Sequence, residues 1–193
     1  SAASVPATLN DVVLAACTLA LSKFMADRGE GRGSGRVLKA MVPVSRRGDD
    51  PTGHKTGNQV SLIVVELPIH ESDATRVLHG INEQTSDLRD SGMAQGAETI
   101  VDLAGAAPMI APILAKVVSH QIPMNLVITN VPGPPVPLWA FGARVLEAYP
   151  YVEVIDGEGM TIALLSYEGT LHFGLTADRD QMQDLGKLAV AIE

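Results

Sequence analysis

A chain of 193 residues, 46% hydrophobic and 19% charged, is long enough to bury a full core and too apolar to be disordered. Its net charge of −8 argues against nucleic acid as a partner, and the single Cys17 excludes an internal disulfide and fits a reducing compartment. Residues Ser1 to Pro6 lack the basic and apolar regions of a signal peptide, and the uncharged run Leu103 to Ala115 is too short and too broken by Pro108 and Pro112 to cross a bilayer. The charge is uneven. Residues 1–60 hold 8 Lys/Arg against 5 Asp/Glu, leaving 6 against 17 for the rest. The basic excess (Arg28, Arg32, Arg36, Lys39, Arg46, Arg47, Lys55) reads either as a solvated face or as a local site for phosphate groups or anionic lipid heads.

In chain order, Thr8 followed by Asp11 predicts a capping-box start to a first helix. From Val12 to Met25 that helix is apolar nearly all round, so it is expected to be buried on most sides. Capping alone explains Asn10 and Asp11; a role at the edge of a site is the alternative. Gly29, Gly31, Gly33 and Gly35 make a loop whose spacing does not fit a dinucleotide site, and Lys55-Thr56 lacks the order of a phosphate loop.

Strands are expected over Arg36 to Val44 and Gln59 to Leu67, the second with the continuous apolar centre of a strand covered on both faces. An amphipathic helix follows over Glu71 to Arg89, with Val77, Leu78, Ile81 and Leu88 as its stripe. Two further helical stretches are expected near Ala97 to Ala106 and Pro112 to His120.

The strand Asn125 to Val131 runs into Pro132-Gly133-Pro134-Pro135, which cannot continue a sheet ladder. Pro132-Gly133 fits the centre of a type II turn, with glycine at positive φ. The segment is either a rigid connector or a functional loop. Ala143 to Tyr149 follows, then a turn at Asp156-Gly157. Met160 to Tyr167 and Thr170 to Thr176 read as a hairpin joined by Glu168-Gly169, and Asp178 to Ile192 as a closing helix. Strands interspersed with long helices predict an α/β domain with a mixed sheet layered with helices.

Chemistry is sparse. No serine sits in a nucleophile elbow, and the five histidines (His54, His70, His79, His120, His172) are dispersed without metal-ligand spacing, so no metal site is expected. His79 and Glu83 read as a surface pair, and His172, alternating with Leu171 and Phe173, is expected to face water. What remains are polar residues in apolar surroundings at element ends, namely Asn10, Ser45, Asn58, Asn130 and Ser166.

The order of motifs is more telling. Asn10-Asp11-Val12-Val13-Leu14-Ala15, Pro43-Val44-Ser45-Arg46, Gly57-Asn58, Leu67-Pro68, Asn130-Val131-Pro132-Gly133-Pro134, Gly142, Ser166-Tyr167 and Phe173-Gly174 occur in series. The set resembles the C-terminal domain of the bacterial wax ester synthase/acyl-CoA:diacylglycerol acyltransferase family, across nearly the whole chain.

That resemblance implies a chloramphenicol acetyltransferase-like half-domain, with residues 1–193 forming the C-terminal domain of a two-domain enzyme. Its N-terminal partner domain would carry the catalytic histidine in an HHxxxDG motif, which this chain does not contain. The implied reaction moves a long-chain acyl group from acyl-CoA to diacylglycerol or a long-chain alcohol, with acyl-CoA as substrate and no tightly bound cofactor. Asn10, Asp11 and Asn130 become supporting candidates at a tunnel wall. Ser45, Arg46 and Arg47 become candidates for the CoA phosphates. Trp139 and Phe141 are expected at the domain interface or near the acyl chain. Pro137-Leu138-Trp139 repeats a tripeptide of the family's N-terminal domain, here at the wrong place. A cytoplasmic protein is expected, with peripheral contact to the inner membrane face or lipid droplets. The alternative is a non-catalytic lipid- or protein-binding module that keeps the half-fold.

Overall fold

The computed structural model describes residues 7–30, 35–45, 60–90, 124–154 and 157–193. Helix α1 spans Leu9–Asp27, and Thr8 caps it with the full reciprocal capping box expected from the Thr8/Asp11 spacing. Most of its apolar circumference is taken up by packing, with Leu9 and Val12 at its start left exposed. Val13, Leu14, Cys17, Leu21 and Phe24 are buried against the neighbouring elements. By length and composition alone α1 could cross a membrane, but more than half of that stretch is covered by the rest of the fold, as in a core helix. Cys17 lies in this core, where burial pushes its thiol up to about 12 and leaves it unreactive.

The other elements are β1 (Leu38–Ser45), β2 (Val60–Leu67), α2 (Ala74–Asp90), β3 (Leu126–Val131), β4 (Trp139–Ala140), β5 (Ala143–Arg144), β6 (Met160–Tyr167), β7 (Thr170–Ala177) and α3 (Leu185–Ile192). The main sheet has the order β2-β1-β3-β6-β7. Strands β1, β3 and β6 are parallel, and the two outer pairings, β1 with β2 and β6 with β7, are antiparallel. The sheet is therefore mixed, and the α/β layering expected from the sequence is what forms.

Alternate strand residues divide the sheet into two faces. Ala40, Val42, Ile63, Val65, Leu67, Leu126, Ile128, Met160, Ile162 and Leu164 join α1, Val77 and Ile81 of α2, and Leu188 of α3 in one core. On the opposite face Val127, Thr161, Ala163 and Tyr167 are also buried. Coverage on both sides thus belongs to β3 and β6. The expectation that β2 is such a strand is corrected: it lies at an edge of the described sheet, with Leu62 and Glu66 exposed.

Two more boundaries differ. Residues 178–184 form turns, and only Leu185–Ile192 is helical, because the Asp178 carboxylate bends the chain by accepting from the Asp180 backbone N–H and from Gln181 Nε2. The stretch Ala143 to Tyr149 begins as β5 in a two-residue hairpin with β4, whose turn is Phe141-Gly142. The helical stretches expected at Ala97 to Ala106 and Pro112 to His120 lie outside the described residues.

Candidate functional site

Asp11 sits in the first turn of α1 and is almost wholly buried, at 1% exposure. Its carboxylate is a junction. Oδ2 accepts from the Thr8 backbone N–H (2.8 Å), the Thr8 hydroxyl (2.7 Å) and Asn82 Nδ2 (3.0 Å), while Oδ1 accepts from the Thr85 hydroxyl (2.7 Å). One side chain therefore caps α1 and clasps it to α2. Burial pushes the carboxyl up, but the hydrogen bonds from Thr85, Thr8 and Asn82 outweigh it and hold the group below its ordinary range. Asn10, beside it, is half-buried, and its side chain has no hydrogen-bond partner among the described residues.

The parallel strands β1, β3 and β6 end together. Their carboxyl ends carry Ser45, Asn130 and Ser166. This is the end of an α/β sheet where ligands commonly bind. Asn130 pairs in register with Leu164 and is half-buried.

The proline segment that follows does not make the expected type II turn. Gly133 does not have a positive φ; the segment instead carries on along β6 before bending at Pro135-Val136. The Gly133 N–H donates to Ser166 Oγ (3.0 Å), and the Glu168 N–H donates to the Pro134 carbonyl (3.3 Å). A Cβ at Gly133 would collide with the Ser166 carbonyl oxygen and press on Leu165. Glycine is needed here for close approach, not for turn geometry.

From Val136 the chain forms the β4–β5 ribbon and then crosses the face of the sheet opposite the helices. Tyr167 is the strut: its buried phenol donates to the Val145 carbonyl (2.8 Å) and accepts from the Leu138 N–H (2.9 Å). Arg144 Nη2 donates to both oxygens of Glu168 (2.8 and 3.0 Å). Tyr149 lies edge-on to His172 with ring centroids 5.1 Å apart, and the Pro150 carbonyl packs so closely on Gly174 that no Cβ would fit. Further along, the Thr161 hydroxyl donates to the Glu153 carbonyl (3.2 Å). His172 is therefore not the water-facing residue its strand alternation suggested. It is 8% exposed, because the returning chain covers it.

No described residue forms a nucleophile–base arrangement. His79 pairs with Glu83 at 3.2 Å on the exposed side of α2, as expected, and His70 Nδ1 lies 3.3 Å from the Arg36 carbonyl. His172 lies against the Tyr149 and Tyr167 rings and opposite Leu165 of β6. The described residues also contain no group of three or more His, Cys, Asp or Glu able to hold a metal ion. Arg46 and Arg47 lie outside the described residues, as does the side chain of Ser45. No described contact links Asn10 or Asp11 to Asn130.

Sequence reasoning missed the two partners that give Asp11 its setting. Asn82 and Thr85 are three apart on one face of α2, which was the available signal, but their match to α1 is a tertiary contact that no spacing reveals.

A layered half-domain of this kind has known relatives in structure. It superposes on a wax ester synthase/diacylglycerol acyltransferase from Marinobacter aquaeolei VT8 with a TM-score of 0.69 and 26% identity, covering 96% of this chain and 41% of that one. It shares its fold alone with the epimerization domain from the third module of tyrocidine synthetase B (TM-score 0.59, 12% identity, covering 96% and 40%). The class is the chloramphenicol acetyltransferase-like half-domain.

Within that class, residues 56–193 match the family described as the WS/DGAT C-terminal domain, and the chain belongs to this family. A Mycobacterium tuberculosis protein named as a probable diacylglycerol O-acyltransferase is 34% identical over 189 residues, covering 96% of this chain and 40% of its own length. The O-acyltransferase WSD of Acinetobacter baylyi is 31% identical over 196 residues, covering 100% and 41%. The chain thus spans about two-fifths of the length of these relatives.

Proposed function

We propose that this chain is the C-terminal half of a two-domain, CoA-dependent O-acyltransferase that esterifies diacylglycerol or a long-chain alcohol. The observation that carries the reading is the match to a C-terminal domain that fills only two-fifths of the relatives. In this reading a histidine of the N-terminal domain takes the proton of the acceptor hydroxyl. The oxygen attacks the thioester carbonyl, fixed donors hold the oxyanion, and the collapsing intermediate expels CoA, which takes up the proton. Acyl-CoA is a substrate here, not a resident cofactor.

The half-domain's share of the work is support. The carboxyl ends of β1, β3 and β6, with Asn130, form one wall of the acyl tunnel. Asn10 borders the same site, and Asp11 acts through the fold by fixing α1 on α2. Ser45, Arg46 and Arg47 lead from β1 to meet the CoA phosphates. The protein works in the cytoplasm against a membrane or lipid-droplet surface.

The reading is tested by replacing His54, His70, His79, His120 and His172 one at a time with Gln in the intact two-domain protein. Each variant is expected to keep kcat within about tenfold of the parent. Removal of a true general base lowers the rate by about 10²–10⁴. Such a loss in any of the five, without a matching fall in Tm, places the base in this chain and overturns the division of labour.

A further inference from the structure

The amino ends of the parallel strands hold a cavity of about 310 Å³, at the end of the sheet away from Ser45, Asn130 and Ser166. Leu38 opens β1, Leu126 opens β3 and Met160 opens β6, and all three line it together with the end of α1. Met160 and Ser166 stand near opposite ends of β6, so the cavity lies roughly 20 Å from the tunnel wall proposed above.

Its floor is apolar and soft. Four of the chain's seven methionines, Met25, Met124, Met160 and Met182, line it alongside Leu21 and Phe24 of α1. Unbranched thioethers adapt their rotamers to what they meet, and a wall made of them suits a flexible alkyl chain. The volume stands at the lower end of the range of about 300–1,000 Å³ for small-molecule sites. One alkyl chain enters such a space, and the second chain of a two-chain lipid does not.

The rim chooses the head group. Among the described lining residues Arg28 is the one cation and Glu30 the one anion. Arg28 is held in place: Nε donates to Glu30 Oε1 (3.0 Å), Nη1 donates to Asp184 Oδ1 (2.9 Å), and the guanidinium lies 5.3 Å from the Phe24 ring centre. Two carboxylates therefore share its single charge, and the negative end of the α1 dipole adds to them. A fatty carboxylate or a CoA phosphate entering here meets repulsion. A hydroxyl does not. A guanidinium has five N–H donors, and these two bonds leave the others for an alcohol oxygen, whose own proton goes to Glu30.

We propose that this cavity is a second lipid site, which takes one single-chain primary alcohol with its tail among the methionines and its hydroxyl between Arg28 and Glu30. It stands on the cavity alone and does not rest on the division of labour proposed above. Where the protein esterifies long-chain alcohols, the site keeps acceptor on the protein away from the reacting centre.

The test is photolabelling of the intact protein with decanol carrying a terminal diazirine, followed by mapping of the labelled residues by mass spectrometry. Labels are expected on Met25, Met124 or Met182, suppressed by excess decanol and not by the same excess of decanoate. Met182→Trp fills the cavity from its half-buried wall and is expected to cut this labelling by about tenfold or more, with Tm within about 2 °C of the parent. Glu30→Gln, an exposed change that leaves Arg28 with one carboxylate, is expected to let decanoate compete about two- to fivefold better.

Labels confined to other parts of the protein overturn the site and leave the acyl-transfer reading standing. Labels at the three methionines that decanoate removes as readily as decanol, or a Glu30→Gln protein on which decanoate competes no better, overturn the choice of an alcohol and with it the proposal. Labelling undiminished in a folded Met182→Trp protein overturns it as well.

Discussion

Asp11→Ala is expected to destabilise the chain by on the order of 3 kcal/mol, because one substitution takes a charged acceptor from several donors at once. The Thr8 N–H and hydroxyl, Asn82 Nδ2 and the buried Thr85 hydroxyl all lose the carboxylate that accepts from them. Each unsatisfied buried group costs about 1–3 kcal/mol, and loss of a cap adds about 1. For a chain of this length, that lowers Tm by roughly 6–12 °C. Asn10→Ala removes no described bond and is expected to leave Tm within about 2 °C. Any fall in activity on changing Asn10 would then report the site rather than the fold.

The same carboxylate sets a pH signature. Its folded pKa lies below the unfolded one, so its contribution is complete above the ordinary carboxylate range and is lost as pH falls through the lowered folded value. Asp11→Asn removes the titration. The stability gap between the parent chain and this variant is expected to narrow below about pH 4. Denaturant midpoints measured from pH 7 to pH 3 check it. A gap that stays constant, or widens in acid, would mean that the Thr8, Asn82 and Thr85 bonds do not favour the charged form.

Gly133→Ala and Gly174→Ala are expected to be the most damaging alanine substitutions among the described glycines. In each the added Cβ meets a backbone carbonyl, that of Ser166 or of Pro150, and not the yielding end of a side chain. Overpacking of this kind costs about 1–3 kcal/mol and sometimes more, and a backbone clash stands at the upper end. Gly80→Ala is the control. It lies within α2 with nothing near the new methyl, and a helical glycine replaced by alanine gains about 0.5–1 kcal/mol. Thermal melts of the three variants decide it. If Gly133→Ala melts with the parent, the proline segment is not seated on β6 as described.

These two glycines also show what the residues alone could and could not reveal. Local rules found the Thr8 capping box, the Glu168-Gly169 hairpin and the α2 stripe, because each depends on residues within a few positions of one another. They failed where distant parts of the chain meet. Pro132-Gly133 has turn chemistry, yet the site is decided by Ser166, 33 residues later, which leaves no room for a side chain. His172 alternates like a surface residue, but the chain from Tyr149 to Glu153 returns across that face. The continuous apolar run of β2 looked like a strand covered on both faces, while it lies at an edge of the described sheet with Leu62 and Glu66 exposed. Asn10 and Asp11 could not be separated by spacing; only burial and partners assign Asp11 to the α1–α2 clasp. Family and fold came through because an ordered series of weak motifs is specific when its members are not.

In the proposed division of labour this half-domain supports acyl transfer without performing it. The direct measurement is CoA release from a long-chain acyl-CoA in the presence of diacylglycerol or hexadecanol, first with this chain alone and then with the N-terminal domain added. Silence alone and turnover on addition is the predicted result. Turnover by this chain alone, with acyl ester formed, would contradict it and place the general base among its own histidines.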